Sequence, residues 1–151
     1  MQTILIVFLA KYLYLFVIGG IVLLFLFSDY KKQIALRALF TLPLAFLLSL
    51  LFTRIVLSPR PFLLDHTVPL IQSATDNGFP SDHTLLVATL AMILFFAHKR
   101  ISLMFLFLSL LVGIGRVLAG VHHPFDILGS FIIAVISSVL ISKILSKYTM
   151  K

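Results

Sequence analysis

Cysteine is absent from this 151-residue chain, and acidic residues number five. Without cysteine there can be no disulfide, no thiolate nucleophile and no cysteine-ligated zinc. Charge of either sign is scarce. Charged residues make up 11% of the sequence, against roughly 25% in soluble domains. Leu, Ile, Val and Phe fill the space, so that 61% of residues are hydrophobic and the mean hydropathy is +1.17. A soluble fold of this size could not hide that much apolar surface from water. The chain therefore reads as an integral membrane protein forming one domain over residues 1–151. The formal net charge of +7 does not point to nucleic acid, because the basic residues form no stripe.

A membrane-spanning helix needs about 20 mostly apolar residues. Five apolar runs come near that, at residues 4–27, 34–57, 84–97, 101–119 and 125–145. The expected fold is all-α: a polytopic membrane helix bundle with about five transmembrane helices. No internal repeat or low-complexity tract interrupts it. No basic residue precedes Lys11 and no small-residue cleavage site follows, so the first run is read as retained rather than as a signal peptide. Lys11 itself breaks that run. Either the first ten residues lie at the interface, or Lys11 snorkels or faces other helices.

With five spans, Lys31, Lys32, Arg37, Lys99, Arg100, Lys143, Lys147 and Lys151 all fall on one side. That side should be cytoplasmic, making this a multi-pass protein of the inner or plasma membrane. The opposite, outer side carries Arg54, Arg60 and Arg116 with Asp65, Asp76, Asp82 and Asp126. Arginine forks suit phosphate or carboxylate. Structural ion pairs with the four aspartates are the alternative use.

Three polar clusters stand out from the apolar background. In "GFPSDHT", Pro80 suits the first position of a helix whose first turn holds Ser81, Asp82 and His83. A helix N-terminus favours anions. Ser and Asp are also ordinary capping residues, whereas a cap has no need of the His83 imidazole. In "GRVLAGVHHPFDILG", His122 and Asp126 are four apart, and Pro124 marks a helix start. A carboxylate accepting the Nδ1–H of a histidine leaves Nε2 free as nucleophile or base. A metal site from His83, His122, His123 and Asp126 is another arrangement, but three nearby arginines would repel a cation and attract an anion. In "TRIVLSPRPF", prolines on both sides stiffen the backbone at Arg60. The glycines of "GIGRVLAG" lie within an apolar run with no preceding strand, so they fit close helix packing better than a nucleotide loop. His66, His98 and His123 are left without a role.

In order, these clusters resemble the signature of the type 2 phosphatidic acid phosphatase superfamily: K-x6-R-P, then P-S-G-H, then S-R-x5-H-x3-D. Arg116, His122 and Asp126 keep the spacing of the third motif. The "RPF…FPSDH" form is similar to bacterial undecaprenyl-diphosphatases of the bacitracin-resistance type. The resemblance implies an active site at the extracytoplasmic face that hydrolyses undecaprenyl diphosphate to the monophosphate. It implies catalysis by His122 as nucleophile, Asp126 as its orienting partner and His83 as general acid. Arg60, Arg116 and the Ser81 region would hold the phosphate, with no metal or cofactor. Positioning and charge stabilisation carry most of phosphoryl transfer. The partners implied are a lipid phosphate or diphosphate and the bilayer. Other lipid phosphates, a phosphotransferase and a non-catalytic lipid-phosphate binder or anion transporter remain as alternatives, and oligomeric state is not legible.

The chain departs from the signature at several positions. Thr53 stands where the family has Lys, and Arg54, roughly 100° further around a helix, is the expected substitute. Gly115 replaces Ser, and Asp82 replaces Gly, where it either points away or helps to bind a diphosphate. The family usually has six spans rather than five.

Overall fold

A computed structural model describes residues 1–149, and Lys151 lies outside the described residues. The regular elements among them are seven helices: α1 (Gln2–Lys11), α2 (Leu13–Phe27), α3 (Lys31–Ile55), α4 (Pro61–Leu64), α5 (Asp82–Phe95), α6 (Lys99–Leu118) and α7 (Pro124–Thr149). The all-helical expectation holds over these residues.

By length and composition, α3, α6 and α7 can each cross a membrane. The α1 and α2 helices, bent by 47° at the Lys11–Tyr12 junction, add a fourth crossing if they are one broken span. The third apolar run of the sequence folds as α5, which has 14 residues. At 1.5 Å per residue that is about 21 Å, short of the roughly 30 Å hydrocarbon core. The structure thus supports three or four spans by this measure, where the sequence suggested about five.

The short helix is the axis of the bundle. It packs against α2, α3, α6 and α7, and Thr84, Leu85, Val87, Ala88 and Ala91 to Leu94 are buried along it. One apolar cluster joins Val17 and Ile21 of α2 to Val87, Ile93 and Leu94 of α5 and Phe105 and Val112 of α6. A second joins Ala45, Leu85, Ala88, Ile133 and Ala134 across α3, α5 and α7. Large side chains such as Phe16, Leu39, Phe46, Phe107 and Leu128 point outward and are exposed. An exposed apolar belt of this kind is what a lipid-facing surface requires.

Helix ends on one side of the bundle are set by local chemistry. The α3 helix stops before Ser58-Pro59-Arg60-Pro61, where prolines withhold donors and force extended backbone. Just past the Ala119 cap of α6, Gly120 adopts φ 76°. There Gly120 N–H donates to Val117 O at 2.9 Å and Val121 N–H donates to Arg116 O at 3.2 Å. This is the Schellman pairing, which only a residue tolerant of left-handed backbone closes cheaply. Pro124 then opens α7. The α5 helix begins later than the sequence suggested. Ser81 is its N-cap and Asp82 its first residue, so Pro80 lies outside the helix.

Glycines in the bundle permit close contacts. A Cβ on Gly113 would lie 2.5 Å from Ile127 Cγ2 of α7, and one on Gly129 would enter the Phe79 ring. Around Gly19 nothing lies within 4 Å of the added carbon. Gly129→Ala should therefore lower stability by about 1–3 kcal/mol through overpacking. Gly19→Ala should leave it unchanged or raise it by up to about 1 kcal/mol. Thermal unfolding of both variants in the same detergent checks the contrast, and equal midpoints would refute the packing assigned to Phe79.

Candidate active site

The end of the bundle just described draws together the α1–α2 junction, the loop after α3, the start of α5 and the α6–α7 turn. At its centre is the imidazole of His122, 2% exposed. Nδ1 lies 3.0 Å from the carbonyl oxygen of Gly78 and 3.4 Å from Asp126 Oδ2. Both are acceptors, so Nδ1 carries the proton. Nε2 lies 3.3 Å from Arg60 Nη1 and 3.3 Å from Arg116 Nη2. Both of those are donors, so Nε2 presents its lone pair to two guanidinium groups. The Gly78 carbonyl is the nearer Nδ1 partner, and no sequence pattern announces it.

Asp126 is fully buried and held from two sides. Ser58 Oγ donates to its Oδ1 at 2.7 Å, and His123 N–H donates to its Oδ2 at 2.8 Å. As the third residue of α7 it reaches back to the residue before the helix, the acidic half of a capping box. The Gly78 loop is laced to the end of α3. Gly78 N–H donates to Ser58 O at 2.8 Å, Asn77 Nδ2 donates to Thr53 O and Val56 O, both at 2.7 Å, and Ser58 N–H donates to Asn77 Oδ1 at 2.8 Å. His123 Nε2 adds a 3.0 Å bond to Pro59 O.

A cavity of about 550 Å³ opens beside His122. Arg60, Arg116, His83 and His122 line it, together with Asp76, Asp82, Tyr14 and Lys11. Arg60 is 6% exposed and pairs with Asp76 Oδ1 through Nη2 at 2.8 Å and Nε at 3.1 Å. The structural ion pair considered from sequence is real for Arg60. Arg116, 7% exposed, has no carboxylate partner among the described residues. Its Nη1 donates to Ala10 O at 3.4 Å, and its buried Nε has no acceptor. His83 meets the Tyr14 ring edge-on with centroids 4.5 Å apart.

The remaining expected residues lie as follows. Ser81, expected to bind phosphate, is fully buried and is not among the cavity-lining residues; its Oγ accepts from Thr84 Oγ1 at 3.2 Å. Asp82 lines the cavity and also an adjoining apolar groove between α3 and α5. Arg54 is exposed on α3 and is not among the cavity-lining residues, so the structure does not bring it to the site. Thr53 donates instead to Phe79 O at 2.9 Å and Ser49 O at 2.8 Å. His98 is bonded to Ser28 Oγ at 2.7 Å near the α2–α3 turn. Among the described residues no three His, Asp or Glu side chains gather as a metal site, so the four-residue metal set is not assembled.

Residues 34–150 match the family model described as the PAP2 superfamily. The chain belongs to that family. It is 31% identical over 89% of its length to the bacitracin transport permease protein BcrC of Bacillus licheniformis, covering 67% of that protein. It is 35% identical over 59% of its length to the undecaprenyl-diphosphatase BcrC of Bacillus subtilis, covering 46%. The chain thus spans about half to two thirds of the length of these relatives. In three dimensions it resembles the crystal structure of Aquifex aeolicus LpxE, with TM-score 0.74 and 26% identity over 93% of this chain and 86% of that one.

Burial pushes the His122 imidazole below the ordinary histidine value of 6.5, and the two guanidinium groups push the same way; only Asp126 opposes them. The neutral ring with Nε2 free is therefore the form present at neutral pH. An NMR titration of the His122 ring should give a midpoint below 6.5. Removing the opposing charge in Asp126→Asn should move it further down. An upward shift in that variant would contradict the arrangement.

Proposed function

We propose that this protein is a metal-independent membrane lipid phosphatase that hydrolyses undecaprenyl diphosphate to undecaprenyl phosphate through a phosphohistidine on His122. One observation carries the reading: Nε2 of His122 lies between two buried arginines that line a cavity with it, while acceptors hold the other ring nitrogen. The family membership and the name of the Bacillus subtilis relative support the substrate class.

In the first step Nε2 attacks the terminal phosphorus and an N–P bond forms. The P–O bond to the lipid phosphate breaks as His83 protonates the departing oxygen. The imidazolium created on His122 keeps its Nδ1 proton directed at Gly78 O and Asp126. In the second step water attacks phosphorus and gives its proton to His83. The N–P bond breaks, its electron pair returns to Nε2, and inorganic phosphate leaves. Arg60 and Arg116 hold the equatorial oxygens, where charge develops. Their fixed positive charge occupies the place beside the nucleophile that a metal would need.

The site faces outward on this reading. Lys31, Lys32, Lys99 and Arg100 begin α3 and α6 at the far end of the bundle, and Lys143 and Lys147 close α7 there. On this reading the buried α5 and the loop before it together make the further crossing, since the 14-residue helix alone is shorter than the hydrocarbon core. The apolar groove lined by Leu42, Ala45, Phe46, Leu85 and Leu86 meets the cavity at Asp82 and gives the prenyl chain a path from headgroup to lipid.

Phosphate release in detergent with EDTA, from undecaprenyl diphosphate, phosphatidate and phosphatidylglycerophosphate side by side, tests this. Release should be fastest from the prenyl diphosphate and resist EDTA. It should fall by about 10³-fold or more in His122→Ala, since a covalent nucleophile is lost. Release from glycerolipids alone would move the substrate, and none from any lipid would leave a binding protein.

A further inference from the structure

We infer that Lys11, at the α1–α2 junction, is a phosphate-binding residue that takes the place of the cation the chain lacks at Thr53. The inference rests on the phosphatase reading above.

Lys11 is the last residue of α1 and interrupts the apolar run from Ile4 to Phe27. A charge at such a point in a span is tolerated where it faces a polar cavity, and so is a break in the helix. Both conditions meet here, because the 47° bend falls at Lys11–Tyr12 and Lys11, Tyr12 and Tyr14 line the cavity beside His122. Arg54, the nearest cation to Thr53 in sequence, does not line it.

What brings Lys11 to the cavity is a second departure from the family signature. A Cβ at Gly115 would sit 2.6 Å from Leu9 Cβ and 2.7 Å from Ala10 N. The serine of the family pattern carries that carbon, so glycine is what lets the end of α1 lie against α6. Ala10 is consequently fully buried against Ala119, Val121 and Ile71, and its carbonyl accepts from Arg116. Gly115 and Lys11 are thus two halves of one change: space on α6, and a cation delivered through that space.

The charge balance of the cavity gives this cation work. Arg60 is paired with Asp76, which it binds through two nitrogens, and Asp82 adds a further carboxylate to the wall. Lys11 has no ion-pair partner among the described residues. A diphosphate carries more negative charge than Arg116 alone can balance.

The test compares Lys11→Met, which keeps the aliphatic stem, with Lys11→Arg and Arg54→Met. Each is assayed for turnover of undecaprenyl diphosphate and for inhibition by inorganic phosphate. Lys11→Met should raise both KM and the phosphate inhibition constant by about tenfold or more, the size of one lost charge-assisted contact. Lys11→Arg should stay within about threefold, and Arg54→Met should match the wild type. Unchanged constants in Lys11→Met would overturn the inference while leaving the phosphatase reading intact. Equal loss in Lys11→Met and Lys11→Arg would also overturn it, by assigning the residue to shape rather than charge. A wild-type protein that releases no phosphate from any lipid would remove the phosphatase reading, and this inference with it.

Discussion

Everything at the polar end of this bundle is arranged around one imidazole ring that must have acceptors on one nitrogen and donors on the other. His122 meets Gly78 O and Asp126 at Nδ1, and Arg60 and Arg116 at Nε2. These groups come from four separate stretches of chain, and each is fixed by its own local device. The glycine-closed end of α6 turns the chain so that His122 follows Arg116 back to its own guanidinium. The capping contact of Asp126 pins the carboxylate under the ring. Prolines flank Arg60, and Asn77 ties the Gly78 loop to the end of α3. Loosening any one of these would leave a lone pair or a proton without its counterpart in a place that water reaches poorly.

Burial makes the arrangement electrostatically expensive. Arg60 and Arg116 are both more than nine-tenths buried, yet only Arg60 has an aspartate partner among the described residues, and the Nε of Arg116 has no acceptor. Desolvated charges without matching partners cost several kcal/mol. The fold offsets that cost through apolar packing around α5, which contacts α2, α3, α6 and α7. Two fixed cations beside an uncharged imidazole suit a site organised for an anion, because the positive field is in place before any charge arrives.

The sequence disclosed most where spacing and chemistry coincide. Apolar runs of nearly membrane length gave the helices, and the Arg116–His122–Asp126 spacing gave the turn at the centre of the site. It disclosed least where backbone atoms or distant segments act. The Gly78 carbonyl carries no side-chain signature, and Ser58 looks like any loop serine until Asp126 is seen beside it. Arg54 seemed the natural replacement for a lysine one position away, but helix α3 turns it to the surface while Thr53 is spent on the Phe79 carbonyl. Lys11, more than forty residues earlier, reaches the cavity instead. Its oddity in an apolar run was visible; its destination required knowing that Gly115 leaves room for α1. The Pro80 boundary was missed because a proline before a serine can begin a helix or merely precede its cap.

The short α5 and the broken α1–α2 pair are two expressions of the same constraint. A helix of about 21 Å cannot join both surfaces of a core of roughly 30 Å. If the Phe95 end sits near the interface beside His98, Lys99 and Arg100, the Asp82 end must stop below the opposite surface. Backbone that ends there needs a polar cavity to solvate it, and the residues closing that cavity must come from neighbouring segments. The α1–α2 junction breaks beside the cavity, with Tyr14 against His83 and Lys11 on the wall. A recess of this kind places cations nearer the level at which a lipid headgroup joins its chain than an arginine on the membrane surface would be. It also explains why the groove reached through Asp82 is apolar: it runs from that recess into the region where only hydrocarbon is welcome.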